Sequence, residues 1–436
     1  MTNTRPSLST PKRAGNIGVG KAALYSYYAG YSPSFVRDVI GALDLKKNSV
    51  ICDPWNGSGT TTQVAQDLGY SAFGYDINPA MVTIAKARLL GSHTEPSHSV
   101  LCSHILRKAS NYCASVLDPD PLTAWFIPES ARFVRNIERA VQHMLVDEGK
   151  YLNLSARKHF GDLSSLAAFF YVALFRTVRQ LLTNFVTSNP TWLKIPSHHA
   201  ARVRPTSALV RNTFRKQVTA MASRFSGSTP PTNDRLPHGE FIEVTVADSR
   251  SLPLPAQSID AVIGSPPYCT RLDYIVATRP ELFLMGYDGD AVREIRDRMI
   301  GTTTINSETP AAKSEWGSTC NSFLEGVRTH ESHASDTYYW KNHVQYFDAL
   351  HSSLGEIQRV LRPKAACVLV VQDSYYKEIH NDLPIYIIEM AGQMGLSLRN
   401  RYDYVVKHSF AGLHEHRKTY RSHATAIESV LWFVRQ

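Results

Sequence analysis

Ser49-Val50-Ile51-Cys52-Asp53-Pro54-Trp55-Asn56-Gly57-Ser58-Gly59-Thr60-Thr61 carries an apolar run into a turn of small residues and out toward a helix. Asn48 to Asp53 reads as a short strand. Thr60 to Leu68 reads as the helix that follows, closed by Gly69. Ser71 to Asp76 is a second strand and Pro79 to Leu90 a second helix. Upstream, residues 34–46 predict a helix capped by Ser32, with Pro33 at its first position. Strand, helix, strand, helix at this spacing argues for an α/β fold with a parallel sheet and crossover helices.

Further along, residues 91–240 carry helical periodicity with almost no strand signal. Strands return at Glu243 to Asp248 and Ile259 to Ile263. A helix at 343–361, a strand at 366–371, a helix at 384–394 and a hairpin-like pair at 400–408 and 426–435 complete the alternation. The reading is therefore one α/β domain, 20–90 and 241–436, split by a helical insertion at 91–240. Residues 1–19 read as a flexible basic tail, and 280–340, with its Gly, Ser, Thr and Asn clusters, as a loop-rich sub-insert. The longest apolar run, Leu166 to Phe175, is too short to span a bilayer and reads as a buried core helix.

The chain has 436 residues, 43% hydrophobic and 19% charged, an ordinary globular balance. Its net charge is +9. Residues 151–230 hold eleven Lys and Arg against one acid, Asp162, so the excess is concentrated in the insertion. Lys194, Arg204, Arg211, Arg215 and Lys216 are the candidate phosphate contacts, set against a plain solvated helix face. The six cysteines (52, 102, 113, 269, 320 and 367) form no Cys-x-x-Cys pair. That argues against zinc and disulfides and for a reducing cytoplasm. His414-Glu415-His416 lacks a third ligand at usual spacing and reads as an exposed basic stretch, so no metal is expected.

Two motifs carry chemistry. Gly57 and Gly59 let the backbone approach a ligand, and the helix opening at Thr60 points its N–H groups at it. Asp53 ends the first strand, where an ammonium can be received. Asp76 ends the second, where a doubly wound domain receives ribose hydroxyls. Asp248 ends a third strand. Each Asp taken singly reads equally well as a strand-end or cap residue. There is no G-x-G-x-x-G and no G-K-[ST], and an acid without a lysine suits a zwitterionic ligand better than a triphosphate. The second motif, Ser265-Pro266-Pro267-Tyr268, follows an apolar strand. The prolines stiffen the loop. The Pro266 carbonyl and Ser265 Oγ are two acceptors for the two hydrogens of an exocyclic amine, and Tyr268 offers a face on which a base can stack. A base held so must leave its helix.

Together these motifs resemble the DNA amino-methyltransferases, over roughly 20–90 and 241–435. The resemblance implies a Rossmann-like methyltransferase fold, S-adenosylmethionine as cofactor, and double-stranded DNA as partner. It implies a methionine-end site at Asp53, Gly57, Gly59 and Thr60, a ribose site at Asp76, and Asp248 accepting from the adenine amino group. An aromatic stretch at 25–35, with Tyr28, is similar to the element that closes over the cofactor. Ser at the head of the tetrapeptide goes more often with N4 of cytosine, and Asp or Asn with N6 of adenine. The expected activity is thus N4-cytosine methylation in duplex DNA, with N6-adenine as the alternative. An RNA base-amine enzyme and a binder without turnover rank below these. The expected setting is a prokaryotic cytoplasm, at the nucleoid, with a cognate restriction endonuclease as a further partner. Cytosine C5 methylation is set aside, because it needs a thiolate after a proline and the chain has no Pro-Cys dipeptide.

Overall fold

In a computed structural model the described residues are 7–12, 20–25, 30–91, 95–112, 119–146, 163–187, 192–225, 240–269, 273–305, 309–406 and 426–436. The strands are β1 (Val50–Asp53), β2 (Ser71–Asp76), β3 (Ile242–Val246), β4 (Ile259–Gly264), β5 (Leu361–Gln372), β6 (Ser374–Tyr376), β7 (Ile379–Asn381), β8 (Leu396–Val406) and β9 (Ala426–Arg435). Seven of them form one sheet in the order β3-β2-β1-β4-β5-β9-β8. The pairs from β3 to β5 are parallel, and β9 runs antiparallel to both β5 and β8. This is an α/β Rossmann-like fold with a largely parallel sheet. β6 and β7 make a separate hairpin.

Side chains alternate across the sheet, as strand geometry requires. Ile51, Ile263, Val368, Val370, Val430 and Trp432 face α1 (Pro33–Ala42) and α2 (Thr60–Leu68). Cys52, Val262, Cys367, Leu369, Leu431 and Phe433 face the helices Trp340–Val360 and Leu383–Gln393 on the other side. Ser32 caps α1 by accepting from Phe35 N, and Gly69, at φ +76°, closes α2.

The third helix, α3 (Pro79–Arg88), is buried almost all round. Val82 and Ala85 meet Val244 of β3, whereas Met81, Ile84 and Ala87 join the core of the insertion. It is thus shared between the two bodies of the molecule. The insertion is helical: Glu95–Ala109, Pro128–Leu145, Ser165–Leu181 and Ser207–Ala222 surround a core dense in phenylalanine. Leu166 to Phe175 lies inside the helix Ser165–Leu181, of which most residues are buried.

Arginines bind the insertion to the catalytic half. Arg135 is 2% exposed, pairs with Asp120 and Glu138, and donates to the carbonyls of Phe283 and Leu284. Arg179 pairs with the fully buried Glu281 at 2.5 Å and also donates to Tyr25 Oη at 2.8 Å. Residues 280–340 depart from the loop-rich expectation: Arg279–Leu284, Gly289–Arg298 and Ser318–Thr329 are helices. Polar composition hid short amphipathic segments there. Asp288 caps the second helix, and Phe323, Leu324 and Val327 of the third enter the core. Among the described residues no helix is long and apolar enough to cross a membrane.

Candidate active site

In an open α/β sheet, ligands bind beyond the carboxyl ends of the strands where the strand order reverses. That point lies here between β1 and β4. The segments leaving β1 (Pro54–Ser58), β2 (Asp76–Asn78), β3 (Ala247–Ser249) and β4 (Ser265–Tyr268) line one cleft. Gly30 and Tyr31 close one side, and Arg298, Met299 and Ile300 another.

The β1 turn is built by close approach. Gly59 has φ +83° and a Cβ on it would stand 2.7 Å from Ala85 Cβ. Gly74 would put a Cβ 2.5 Å from Asn56 Nδ2. Asp76 holds the turn in place, because its carboxylate accepts from Gly57 N at 2.9 Å and Asn78 N at 2.8 Å. Burial pushes its carboxyl up to about 6, against the pull of those two N–H groups.

Asp53 stands differently from Asp76. It is 1% exposed and does not line the cleft. Its carboxylate accepts from Tyr31 Oη at 2.8 Å, Thr61 Oγ1 at 2.6 Å and Trp55 N at 3.1 Å. Burial raises this carboxyl too, to about 6, although all three donors lower it. Gly59 likewise lies behind the cleft wall, while Gly57 and Thr60 line it. Tyr28 falls outside the described residues.

Asp248 lines the cleft but is gripped by Arg250, at 2.9 Å to Nε and 2.7 Å to Nη2, with Arg298 at 3.7 Å. Burial pushes its carboxyl up, but these arginine contacts outweigh it and hold the group below its ordinary value.

In the tetrapeptide, Ser265 Oγ donates to the Val370 carbonyl at 2.8 Å. The Pro267 carbonyl accepts from Tyr346 Oη at 2.8 Å. The Pro266 carbonyl has no donor among the described residues. Tyr268 lines the cleft, and its hydroxyl donates to Glu428 at 3.2 Å. Burial drives the Cys269 thiol up to about 12, so it stays protonated and offers no thiolate. Arg271 lies outside the described residues. Asp273 caps the next short helix and pairs with Arg296.

The five basic candidates lie away from the cleft. Lys194, Arg204, Arg215 and Lys216 are exposed. Arg211 donates to the Leu106 carbonyl at 2.7 Å and Ser110 Oγ at 3.0 Å, tying its helix to the end of Glu95–Ala109. Trp192 is partly buried, its indole nitrogen enclosed with no hydrogen-bond partner among the described residues. Among the described residues no three His, Cys, Asp or Glu side chains gather as a metal site, and His414 to His416 lie outside them.

Several lining residues have no local signature. Trp55 donates its indole N–H to Ser249 Oγ at 2.9 Å, and Tyr31, Asn78, Tyr274 and Arg298 to Ile300 arrive from four separate segments. Trp55 sits inside the β1-turn motif and Tyr31 inside the aromatic stretch 25–35, and no motif marked the others.

Fold and cleft together are those of a Rossmann-like α/β protein with a ligand site at the carboxyl ends of its strands. Residues 25–87 match a family model described as DNA methylase, of the N6/N4 type. With the Ser-Pro-Pro-Tyr loop on the same cleft, the chain is similar to that S-adenosylmethionine-dependent family. The Type II methyltransferase M.BsoBI of Geobacillus stearothermophilus is 23% identical over 314 residues, 64% of this chain. The chain spans about half, 55%, of that relative's length. Two solved structures align over most of the chain at low similarity. A S-adenosylmethionine-dependent methyltransferase from Methanosarcina mazei has 10% identity and a TM-score of 0.30, covering 91% of this chain and 96% of that one. A geranyl diphosphate methyltransferase has 8% identity and a TM-score of 0.33, covering 95% and 82%. Scores this low carry no weight here.

Proposed function

We propose that this chain transfers a methyl group from S-adenosylmethionine to the N4 amine of a cytosine flipped out of duplex DNA. The observation that carries this is the placement of the Ser265-Pro266-Pro267-Tyr268 loop on the same cleft as Asp76 and Asp248. The residues present suit the cofactor. Asp76 offers a carboxylate for ribose hydroxyls, Trp55, Ile77, Met81, Met299 and Ile300 give apolar walls, and the opening turn of α2 reaches the cleft at Thr60. S-adenosylmethionine supplies a sulfonium methyl that needs no acid to activate it.

The protein's part is then positioning and electrostatics. Ser265 has given its only hydrogen to Val370, so its oxygen faces a substrate as an acceptor. The Pro266 carbonyl is the second acceptor. Two acceptors hold both amine hydrogens and favour a pyramidal nitrogen with its lone pair free. With the cofactor bound, the amine nitrogen would gain the methyl as the sulfonium carbon–sulfur bond breaks, the thioether would be the leaving group, and one amine proton would go to water. The protonated Cys269 takes no part, and no covalent intermediate is needed.

A neutral hydroxyl at the head of the loop supports cytosine over adenine. The exposed Lys194, Arg204, Arg215 and Lys216 support contact with DNA phosphates. The relative's designation as a Type II methyltransferase supports a cognate restriction endonuclease and a prokaryotic cytoplasmic setting. Mass spectrometry of nucleosides from plasmid DNA of expressing cells tests the proposal. N4-methylcytosine is expected. N6-methyladenine would keep the site and overturn the base, and neither product would overturn the reaction.

A further inference from the structure

Glu428 stands on β9, 160 residues from Tyr268 in sequence, and accepts its hydroxyl at 3.2 Å. It is 7% exposed, and its second carboxyl oxygen has no partner among the described residues. Its strand neighbours are Gln372 on β5 and Tyr404 on β8. Burial raises its carboxyl, while the Tyr268 hydroxyl and Lys12 draw it back. A buried carboxyl facing strands has no evident use in folding, since an unsatisfied buried oxygen is costly. Among the described residues its side chain's one hydrogen bond is with the hydroxyl of the catalytic-loop tyrosine.

Tyr346 fixes the loop at Pro267 and Ser265 fixes it at Val370, and at the ring itself the Ser265 hydroxyl is a second hydrogen-bond neighbour of the buried Tyr268 hydroxyl. The Glu428 bond is made at the far end of the ring, where it sets both tilt and depth. We propose that Glu428 is a positioning residue for methyl transfer: through the Tyr268 hydroxyl it fixes the ring plane on which the target base rests. This rests on the methyltransferase reading above. Glu428 does not line the cleft, so it acts through Tyr268 and not on the base itself.

The test uses the full chain and compares E428A, E428Q, Y268F and the double variant Y268F/E428A in steady-state methylation of plasmid DNA. Cofactor affinity is measured separately by calorimetry. E428A and Y268F should each lower kcat about tenfold, the scale of one hydrogen bond to a charged group, with cofactor Kd within about twofold. The double variant should lose no more than either single, because both remove the same bond. E428Q keeps an acceptor and should recover most of the rate. A purely structural Glu428 would give losses that multiply and no rescue by glutamine, and that result overturns the proposal. Should E428A fail to fold, full kcat in Y268F overturns it equally. An active wild type with an unaffected E428A sinks this inference alone. A wild type that methylates neither base sinks the methylation reading and this inference with it.

Discussion

Ser265 Oγ donates to the carbonyl of Val370, 2.8 Å away on the neighbouring strand. The bond ties the exit of β4 to the carboxyl end of β5 across 105 residues of sequence. With its hydrogen directed at that carbonyl, the hydroxyl oxygen serves as an acceptor for a substrate in the function proposed above. Replacing Ser265 with Ala should therefore lower kcat by roughly 10²-fold or more, the scale of losing one preorganised polar partner. Cofactor Kd should stay within about twofold, since Asp76 and the β1 turn are untouched. A variant with full turnover on DNA would show that Ser265 holds no amine.

Asp76 predicts a pH dependence of cofactor binding. Its carboxyl is raised to about 6 by burial, and a ribose hydroxyl needs the carboxylate form. Affinity should be full above that pH and fall as pH drops through about 6. Asp76→Asn should weaken binding and flatten the profile between pH 5 and 8. Calorimetric titration across that range checks it, and an unchanged profile in the variant would remove Asp76 from the ribose site.

The same two acids predict how stability varies with pH. Asp53 and Asp76 both have folded-state values near 6, above the ordinary 3.8. A raised acid holds its proton more tightly in the folded chain than in the unfolded one. These groups therefore favour the fold most below pH about 4, and their contribution is lost as pH rises to about 6. Above 6 it is flat. Urea unfolding of the D53N/D76N double variant should show a smaller decline over that interval than the wild type.

Gly59→Ala and Gly74→Ala should both be destabilising. The first combines φ +83° with a Cβ 2.7 Å from Ala85 Cβ, and the second drives a Cβ to 2.5 Å from Asn56. Overpacking of this kind costs about 1–3 kcal/mol, and the left-handed backbone at Gly59 adds to it. Thermal unfolding of each variant measures the cost. Gly41, where a Cβ meets nothing within 4 Å, is the matched control and should tolerate alanine.

The basic surface separates into two kinds of arginine and lysine. Replacing Lys194, Arg204 and Lys216 together with Ala should weaken DNA binding and lower the slope of log K against log salt by up to about 3. Arg211→Ala should instead lower stability and leave the slope nearly unchanged, because its guanidinium is committed to Leu106 and Ser110. Fluorescence anisotropy at several salt concentrations distinguishes the two groups. An unaltered slope in the triple variant would take that face out of the DNA interface.

What the chain reveals from its residues alone is local. Thr60–Leu68 and Ser71–Asp76 stand where the residue pattern put them, because a glycine, a cap or a strict alternation acts within a few residues of its own position. The Ser32 cap and the Gly69 stop are of this kind. The helices within 280–340 were missed, because their turns are short and polar and their apolar side is defined only by what packs against it. A terminal strand pair was legible, but not that β9 enters between β5 and β8, since pairing partners are chosen by the sheet and not by the strand.

The sequence by itself determined the alternation of strands and helices, the two motifs and their order, and the acids waiting at the strand ends. Only the tertiary structure decided how those acids differ. Asp76 opens on the cleft, Asp53 is closed off by Tyr31 and Thr61, and Asp248 is held by Arg250 and Arg298. Only the fold could bring Glu428 to Tyr268, or tie Arg211 to the Leu106 carbonyl. The physical reason is range. Propensity, capping and turn chemistry act between neighbours along the chain, whereas burial, charge pairing and access to a cleft depend on residues that meet only after the sheet has closed.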